Sequence, residues 1–167
     1  ACMVRDVFHL ESSDWEALKK EQFDCVLVLG GDGTLLRMAG ETEDIDIPLF
    51  GINLGTVGFL TEGEVANIEE ILDRLLTDDF TIEERMMVTG TVTKADGTTY
   101  RKSALNDIVI SRAGFSRLIG LNVSVDGQVL DTYEADGVVI STPTGSTGYN
   151  LSAGCLLYTS PSPRDRG

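Results

Sequence analysis

Gly30-Gly31-Asp32-Gly33-Thr34 stands where an apolar run, Cys25 to Leu29, gives way to a helical stripe of Leu35, Leu36 and Ala39. At a strand-to-helix turn, glycines let the backbone come close to a ligand, and the helix start points N–H groups at anionic oxygen. Gly30, Gly31, Thr34 and Arg37 therefore form a candidate phosphate or ATP loop. Asp32 does not belong beside phosphate, which repels a carboxylate. Its chemistry there would be to hold a metal ion or to accept a proton from a hydroxyl. The segment is not a dinucleotide fingerprint, whose third glycine falls elsewhere, nor a P-loop, which requires Gly-Lys-Ser/Thr. Asp-Gly is also ordinary turn chemistry. By itself the motif says phosphoryl transfer or nucleotide binding and goes no further.

Three other clusters could do chemistry. Gly51-Ile52-Asn53-Leu54-Gly55-Thr56-Val57-Gly58-Phe59-Leu60 follows a second apolar run, and its glycines suggest close backbone approach to a ligand or to the first loop. Asn106-Asp107 precedes Ile108-Val109-Ile110; an amide beside a carboxylate reads base edges or ribose hydroxyls, and is equally good turn chemistry. The stretch from Asp136 to Gly154 runs an apolar strand into a loop rich in Ser, Thr and Gly, with Tyr149 offering a ring to stack on a base. A flexible linker has similar composition, but an apolar strand feeding straight into it argues for a built site.

These clusters need a scaffold, and the pattern supplies one. Ser13-Asp14-Trp15-Glu16 is a capping box opening a short helix with Trp15 and Leu18 on its apolar side. Asp24 to Leu29 predicts a strand buried on both faces, and Pro48 to Ile52 a second. A helix lies between them over Thr34 to Ala39. Another follows with Ile68, Ile71, Leu72, Leu75 and Leu76 on one side, Asn67 as its cap and Glu70 behind. Alternating strand and helix implies a doubly wound α/β region, a partial one, over residues 1–80. From Thr81 to Thr142 the chain turns Val-, Thr- and Ile-rich. Asp96-Gly97 and Asp126-Gly127 there predict type I′ hairpin turns. Residues 81–154 therefore read as an antiparallel β region. Residues 155–167, with Pro161 and Pro163 and no periodicity, read as a disordered or artefactual tail.

Thirteen basic against 27 acidic residues give a net charge of -14, which repels nucleic acid and anionic membrane at long range. A phosphate-bearing ligand must then be held by backbone N–H groups, a metal or a few placed cations. Cys2, Cys25 and Cys155 lack metal-ligand spacing. No apolar run has the length of a membrane span and no signal peptide opens the chain, so the expectation is a reducing, cytoplasmic setting. Position 1 is Ala, which hints at a fragment or a processed chain.

Taken in order, the four clusters resemble the ATP-NAD kinase family, as a fragment truncated at both ends. The match covers roughly residues 15 to 154. The resemblance implies transfer of a phosphoryl group from ATP, or polyphosphate, to the 2′-hydroxyl of the adenosine ribose of NAD. Asp32 would be the general base, with Gly33 against the dinucleotide. Asn106 and Asp107 would bind its ribose and base edges; Arg117, Glu134 and Asp136 would contact it, some across a subunit interface. Thr147, Gly148, Tyr149, Asn150, Leu151 and Ser152 would line the adenosine pocket. A divalent metal, magnesium by expectation, would screen the donor phosphates. The family fold is an α/β domain followed by a β-sandwich with the site between them, in homodimers or homotetramers. Gly148 stands where many relatives have Ala, and Cys155-Leu156-Leu157-Tyr158 leaves the family pattern. A lipid or sugar kinase sharing the glycine-aspartate turn, or an inactive nucleotide-binding fragment, are the alternatives. The Thr144-Gly145-Ser146-Thr147-Gly148-Tyr149 run favours the NAD kinases.

Overall fold

The structure is a computed structural model that describes residues 23–55, 58–114 and 117–155. The expected capped helix at Ser13 and the tail beyond Cys155 lie outside the described residues. The chain divides into two compact units, Ala1–Glu84 and Arg85–Gly167.

In the first unit, strand β1 (Val26–Leu29) pairs in parallel with β2 (Leu49–Asn53), Val26 opposite Leu49 and Leu29 opposite Ile52. Helix α1 (Asp32–Glu41) lies in the connection between them. It starts two residues earlier than its apolar stripe predicts, so Asp32 and Gly33 form its first turn. Leu35 and Met38, one turn apart, pack on Val28 with Val26, Leu49 and Leu60 around them. Thr42 closes the helix: both its N–H and its hydroxyl donate to the Met38 carbonyl, each at 2.9 Å.

A short strand that periodicity does not announce, β3 (Gly63–Glu64), adds in parallel to the far side of β2, giving the order β1-β2-β3. The middle strand is consequently the buried one, with Gly51, Ile52 and Asn53 all buried. The expectation of a doubly buried β1 is corrected here. Only Val28 of that strand is buried and Leu29 is half exposed. Gly51 lets α1 and the segment after β2 close on the sheet. A Cβ there would lie 2.9 Å from Thr61 Cγ2 and 3.3 Å from Leu35 Cδ2. Gly51→Ala is expected to destabilise the unit by about 1–3 kcal/mol, read as a lower denaturant midpoint.

Helix α2 (Ile68–Leu76) follows a 3-10 turn at Val65–Asn67. Asn67 sits at the cap position, but its side chain makes no capping hydrogen bond, which corrects the expected Asn67 cap. Its backbone already belongs to the preceding turn. Glu69 and Glu70 in the first turn and Arg74 in the last suit the helix dipole instead.

Among the described residues the strands of the second unit pair antiparallel. β4 (Val88–Thr93) pairs with β5 (Thr99–Ala104), β6 (Asp107–Ser111) with β9 (Gly137–Ser141), and β7 (Ile119–Val125) with β8 (Gln128–Ala135). The β7–β8 hairpin is thus an excursion between two strands that pair with each other. Gly90 of β4 faces Ile108 of β6, where a Cβ would lie 2.8 Å from Ile108 Cδ1. The fold class is an α/β region followed by a partial antiparallel β-sandwich.

The two Asp-Gly turns differ. Asp126 and Gly127 both have positive φ, 50° and 78°, as a two-residue type I′ turn requires. At the other hairpin only Gly97 is positive, at 83°, and its N–H donates to the Lys94 carbonyl at 2.9 Å. That is a three-residue loop, a type I turn closed by a left-handed glycine, and it corrects the I′ expectation. Asp96 still works in it, accepting the Thr98 N–H at 2.8 Å.

Candidate active site

Asp32 is the first residue of α1, behind Gly31 in an extended conformation. From there its carboxylate reaches the segment joining β2 to β3. Oδ2 accepts the Phe59 N–H at 2.7 Å; Oδ1 accepts the Leu60 N–H at 2.9 Å, the Thr61 N–H at 3.2 Å and the Thr61 hydroxyl at 3.4 Å. Gly58 makes the approach possible, since a Cβ there would overlap Asp32 Oδ1 and lie 2.7 Å from Cγ. Of the two roles open to the second glycine cluster, close approach to the first loop is realised at Gly58.

Behind this clamp sits Asn53, 5% exposed at the end of β2. Its Oδ1 accepts the Gly55 N–H at 2.8 Å and its Nδ2 donates to Thr61 Oγ1 at 3.2 Å. Asn53, Phe59 and Leu60 belong to the second glycine cluster, where no role was assigned to them, and Thr61 lies one residue beyond it and was missed. The available signal was Gly58, whose lack of a Cβ leaves room for the Asp32 carboxylate.

Burial pushes the Asp32 carboxyl upward, but the N–H groups of Phe59, Leu60 and Thr61 and the Thr61 hydroxyl outweigh it, leaving the group below the ordinary carboxylate range. Folding thus favours the ionised form. The stabilisation it brings is complete above the unfolded value near 3.8 and is lost as pH falls through the lower folded value. Melting temperature is expected to fall more steeply on acidification below about pH 5 in the parent chain than in Asp32→Asn, measured side by side.

In the second unit the structure brings together only some of the expected residues. The turn at Asn106 is pinned to the start of the hydroxyl-rich segment. Its carbonyl accepts the Thr142 N–H at 2.8 Å, the Thr142 hydroxyl at 3.1 Å and the Ser141 hydroxyl at 3.3 Å. The Thr142 hydroxyl also donates to the Leu105 carbonyl and accepts the Gly145 N–H at 3.2 Å. Gly145 is obligatory, because a Cβ would overlap the Asn106 carbonyl. Asn106 Oδ1 is buried and has no hydrogen-bond partner among the described residues.

The segment expected to be a loop is built of two short helical turns, Gly145–Thr147 and α3 (Tyr149–Ser152). Asp136 lies at the opposite end of the β6–β9 ladder from Asp107, which pairs with Ser141. It is salt-bridged to Arg112 at 2.8 Å, a partner sequence reading did not anticipate. Asp136, Arg112, Tyr149 and Ser111 border an open groove of about 540 Å³ floored by Val109 and Val139. Asn106 and Asp107 do not line it, and Arg117 and Glu134 are exposed at the β7–β8 hairpin. Thr147, Gly148, Leu151 and Ser152 are exposed, and Asn150 is half-buried.

Among the described residues no group of three or more His, Cys, Asp or Glu could enclose a metal ion. Nor is any described helix long and apolar enough to cross a membrane.

A fixed, ionised carboxylate at a glycine-rich strand-to-helix turn is equipment for drawing a proton from an alcohol. Comparison with known proteins identifies the family. The ATP-NAD kinase N-terminal domain profile matches residues 5–80, and the ATP-NAD kinase C-terminal domain profile residues 105–161. The NAD kinase of Lachnoclostridium phytofermentans is 50% identical over 138 residues, 81% of this chain and 48% of that protein. That of Moorella thermoacetica is 51% identical over 134 residues, 80% of this chain and 43% of that protein. Among solved structures, yeast NADH kinase complexed with NADH superimposes with a TM-score of 0.73 at 30% identity, covering 83% of this chain and 41% of that one. An Archaeoglobus fulgidus NAD kinase in complex with ATP gives 0.69 at 33% identity, covering 92% and 56%. The chain belongs to the ATP-NAD kinase family, and it spans about half the length of the curated relatives it matches.

Proposed function

We propose that this chain carries out, alone or as part of a longer protein, the transfer of the γ-phosphoryl group of ATP to the 2′-hydroxyl of the adenosine ribose of NAD. The product is NADP. The observation that carries the reading is the clamped Asp32 carboxylate. Oδ2 accepts one N–H among the described contacts, and a carboxylate oxygen has room for a second donor. A ribose hydroxyl placed there donates to Oδ2 while its oxygen attacks the γ-phosphorus. The bond from phosphorus to the ADP oxygen breaks, and the proton passes to Asp32 and then to solvent. A carboxylate held below its ordinary range is a weak base, so it takes the proton only as the new P–O bond forms. Its ionised state and fixed aim are what it contributes.

Gly33 beside it would lie against the dinucleotide, and Gly30, Gly31, Thr34 and Arg37 would face the donor phosphates. In the second unit, Asn106 offers its buried Oδ1, and with Asp107 would hold ribose and base edges. Asp136, Tyr149 and the rest of Thr147–Ser152 would line the adenosine side, with Arg117 and Glu134 contacting the dinucleotide, some of these across a homodimer or homotetramer interface. The described residues do not fit a protein-enclosed metal. A magnesium ion arriving on the phosphates matches that ion's preference for water and substrate oxygens. Polyphosphate is a second candidate donor. A cytoplasmic setting, where a thiol such as Cys25 stays reduced, goes with this reading.

The test is NADP formation from NAD, ATP and magnesium by this chain. NADP accumulating with ATP consumption supports the reading. Binding of NAD without turnover would make the chain a nucleotide-binding module, and turnover of a lipid or sugar alcohol in place of NAD would overturn it.

A further inference from the structure

The Asp32 clamp is more than three backbone donors, because a side-chain relay stands behind it. Thr61 is 6% exposed and belongs to none of the sequence clusters. Its hydroxyl accepts from Asn53 Nδ2 at 3.2 Å and donates to Asp32 Oδ1 at 3.4 Å. Asn53 in turn is oriented by the Gly55 N–H on its Oδ1 at 2.8 Å, which fixes which end of the amide faces Thr61. Amide, hydroxyl and carboxylate therefore point their dipoles one way along a single line, each polarising the next. The Thr61 N–H reaches the same oxygen at 3.2 Å, so this residue holds Asp32 twice.

The relay also divides the two oxygens. Among the described residues Oδ1 receives three donors and is saturated, whereas Oδ2 receives one, from Phe59 beside Gly58. A carboxylate free to turn would exchange its oxygens. One pinned at Oδ1 presents Oδ2.

We propose that Thr61 and Asn53 are positioning residues for the reaction, a buried relay that saturates one oxygen of Asp32 and thereby presents the other to the acceptor hydroxyl. This rests on the reading of Asp32 as the base, so its test carries a readout that needs no turnover. The Asp32 side-chain carboxyl is followed by NMR through a pH titration in the parent chain, Thr61→Val, Thr61→Ser and Asn53→Leu. NADP formation is measured on the same samples.

Thr61→Val removes the hydroxyl but keeps shape and N–H. It is expected to move the Asp32 titration up toward the ordinary range and to lower kcat about tenfold, with KM for NAD within about twofold. Thr61→Ser restores both. Asn53→Leu moves the titration in the same direction by less, since it removes a bond one step further away. If Thr61→Val leaves the Asp32 titration where it was, the relay is refuted, whatever the activity. If the titration moves but Asp32→Asn still makes NADP at the parent rate, the relay stands as a structural fact and the base assignment fails. A chain that makes no NADP is judged on the titration alone. Should Thr61→Val fail to fold, the decision passes to Asn53→Leu with Thr61→Ser as its folded control, and an unmoved titration there refutes the relay.

Discussion

Asp32→Asn is expected to lower the rate of NADP formation by roughly two to four orders of magnitude while binding of NAD changes little. That range is what a positioned general base contributes to proton removal from an alcohol. The substitution is nearly isosteric and keeps one acceptor oxygen, so Leu60 and Thr61 retain a partner. What it removes is the charge and the second acceptor. Oδ2 becomes an amide nitrogen, which can neither take a proton from the ribose nor accept the Phe59 N–H now at 2.7 Å. The measurement is steady-state kinetics with NAD varied at saturating ATP, alongside a direct NAD titration. A fall in kcat with an unchanged dissociation constant assigns Asp32 to the chemical step. A rise in the dissociation constant with kcat intact would make it a binding residue and remove it as the base.

Gly58→Ala is expected to cost nearly as much, about a hundredfold or more in kcat, although residue 58 is given no contact with substrate. The added methyl would overlap Asp32 Oδ1 and stand 2.8 Å from Thr61 Oγ1, so one of them has to leave. Either the segment swings off and withdraws the Phe59, Leu60 and Thr61 N–H groups together, or Asp32 rotates away from them. Both outcomes release the carboxylate from its aim. Overpacking costs about 1–3 kcal/mol, so the variant should remain folded, which a denaturant melt would establish. Parent-level turnover in a folded Gly58→Ala would mean that the clamp is incidental. The contrast with Gly55 is a useful control, because nothing lies within 4 Å of a Cβ there.

Much of this was legible in the sequence, and the parts that were not share a cause. The parallel pairing of β1 with β2 could be read because an apolar run such as Val26 to Leu29 has few other uses. The antiparallel second unit could be read from its Val and Thr content and from Asp126-Gly127. Asp32 stood out because a carboxylate in a glycine turn needs a reason. Thr61 did not, since a lone threonine between Leu60 and Glu62 carries no periodicity and no motif. Its importance comes from a contact with Asp32, far off in the chain, and only tertiary structure creates that. Arg112 was invisible likewise until the return of β9 beside β6 brought Asp136 to it. The short β3 escaped because two residues, Gly63 and Glu64, cannot display an alternation. Asp96-Gly97 misled because two turn types favour the same pair, and loop length rather than composition decides between them.

One consequence follows from how β2 and β3 are joined. Parallel neighbours are usually connected by a dozen or more residues with a helix among them, and that length gives slack. Here the chain leaves β2 at Asn53 and re-enters the same sheet at Gly63, with the segment that grips Asp32 in between. Asn53 and Gly63 are near neighbours across the sheet, so the segment is held by its hydrogen bonds to Asp32 and not by tension. Added length there matters through those bonds, since an inserted residue changes which N–H groups meet the carboxylate. Inserting one flexible residue between Leu54 and Glu62 would detune the base while leaving the sheet intact, whereas the same insertion at Asp44, in the connection between α1 and β2, would pass unnoticed.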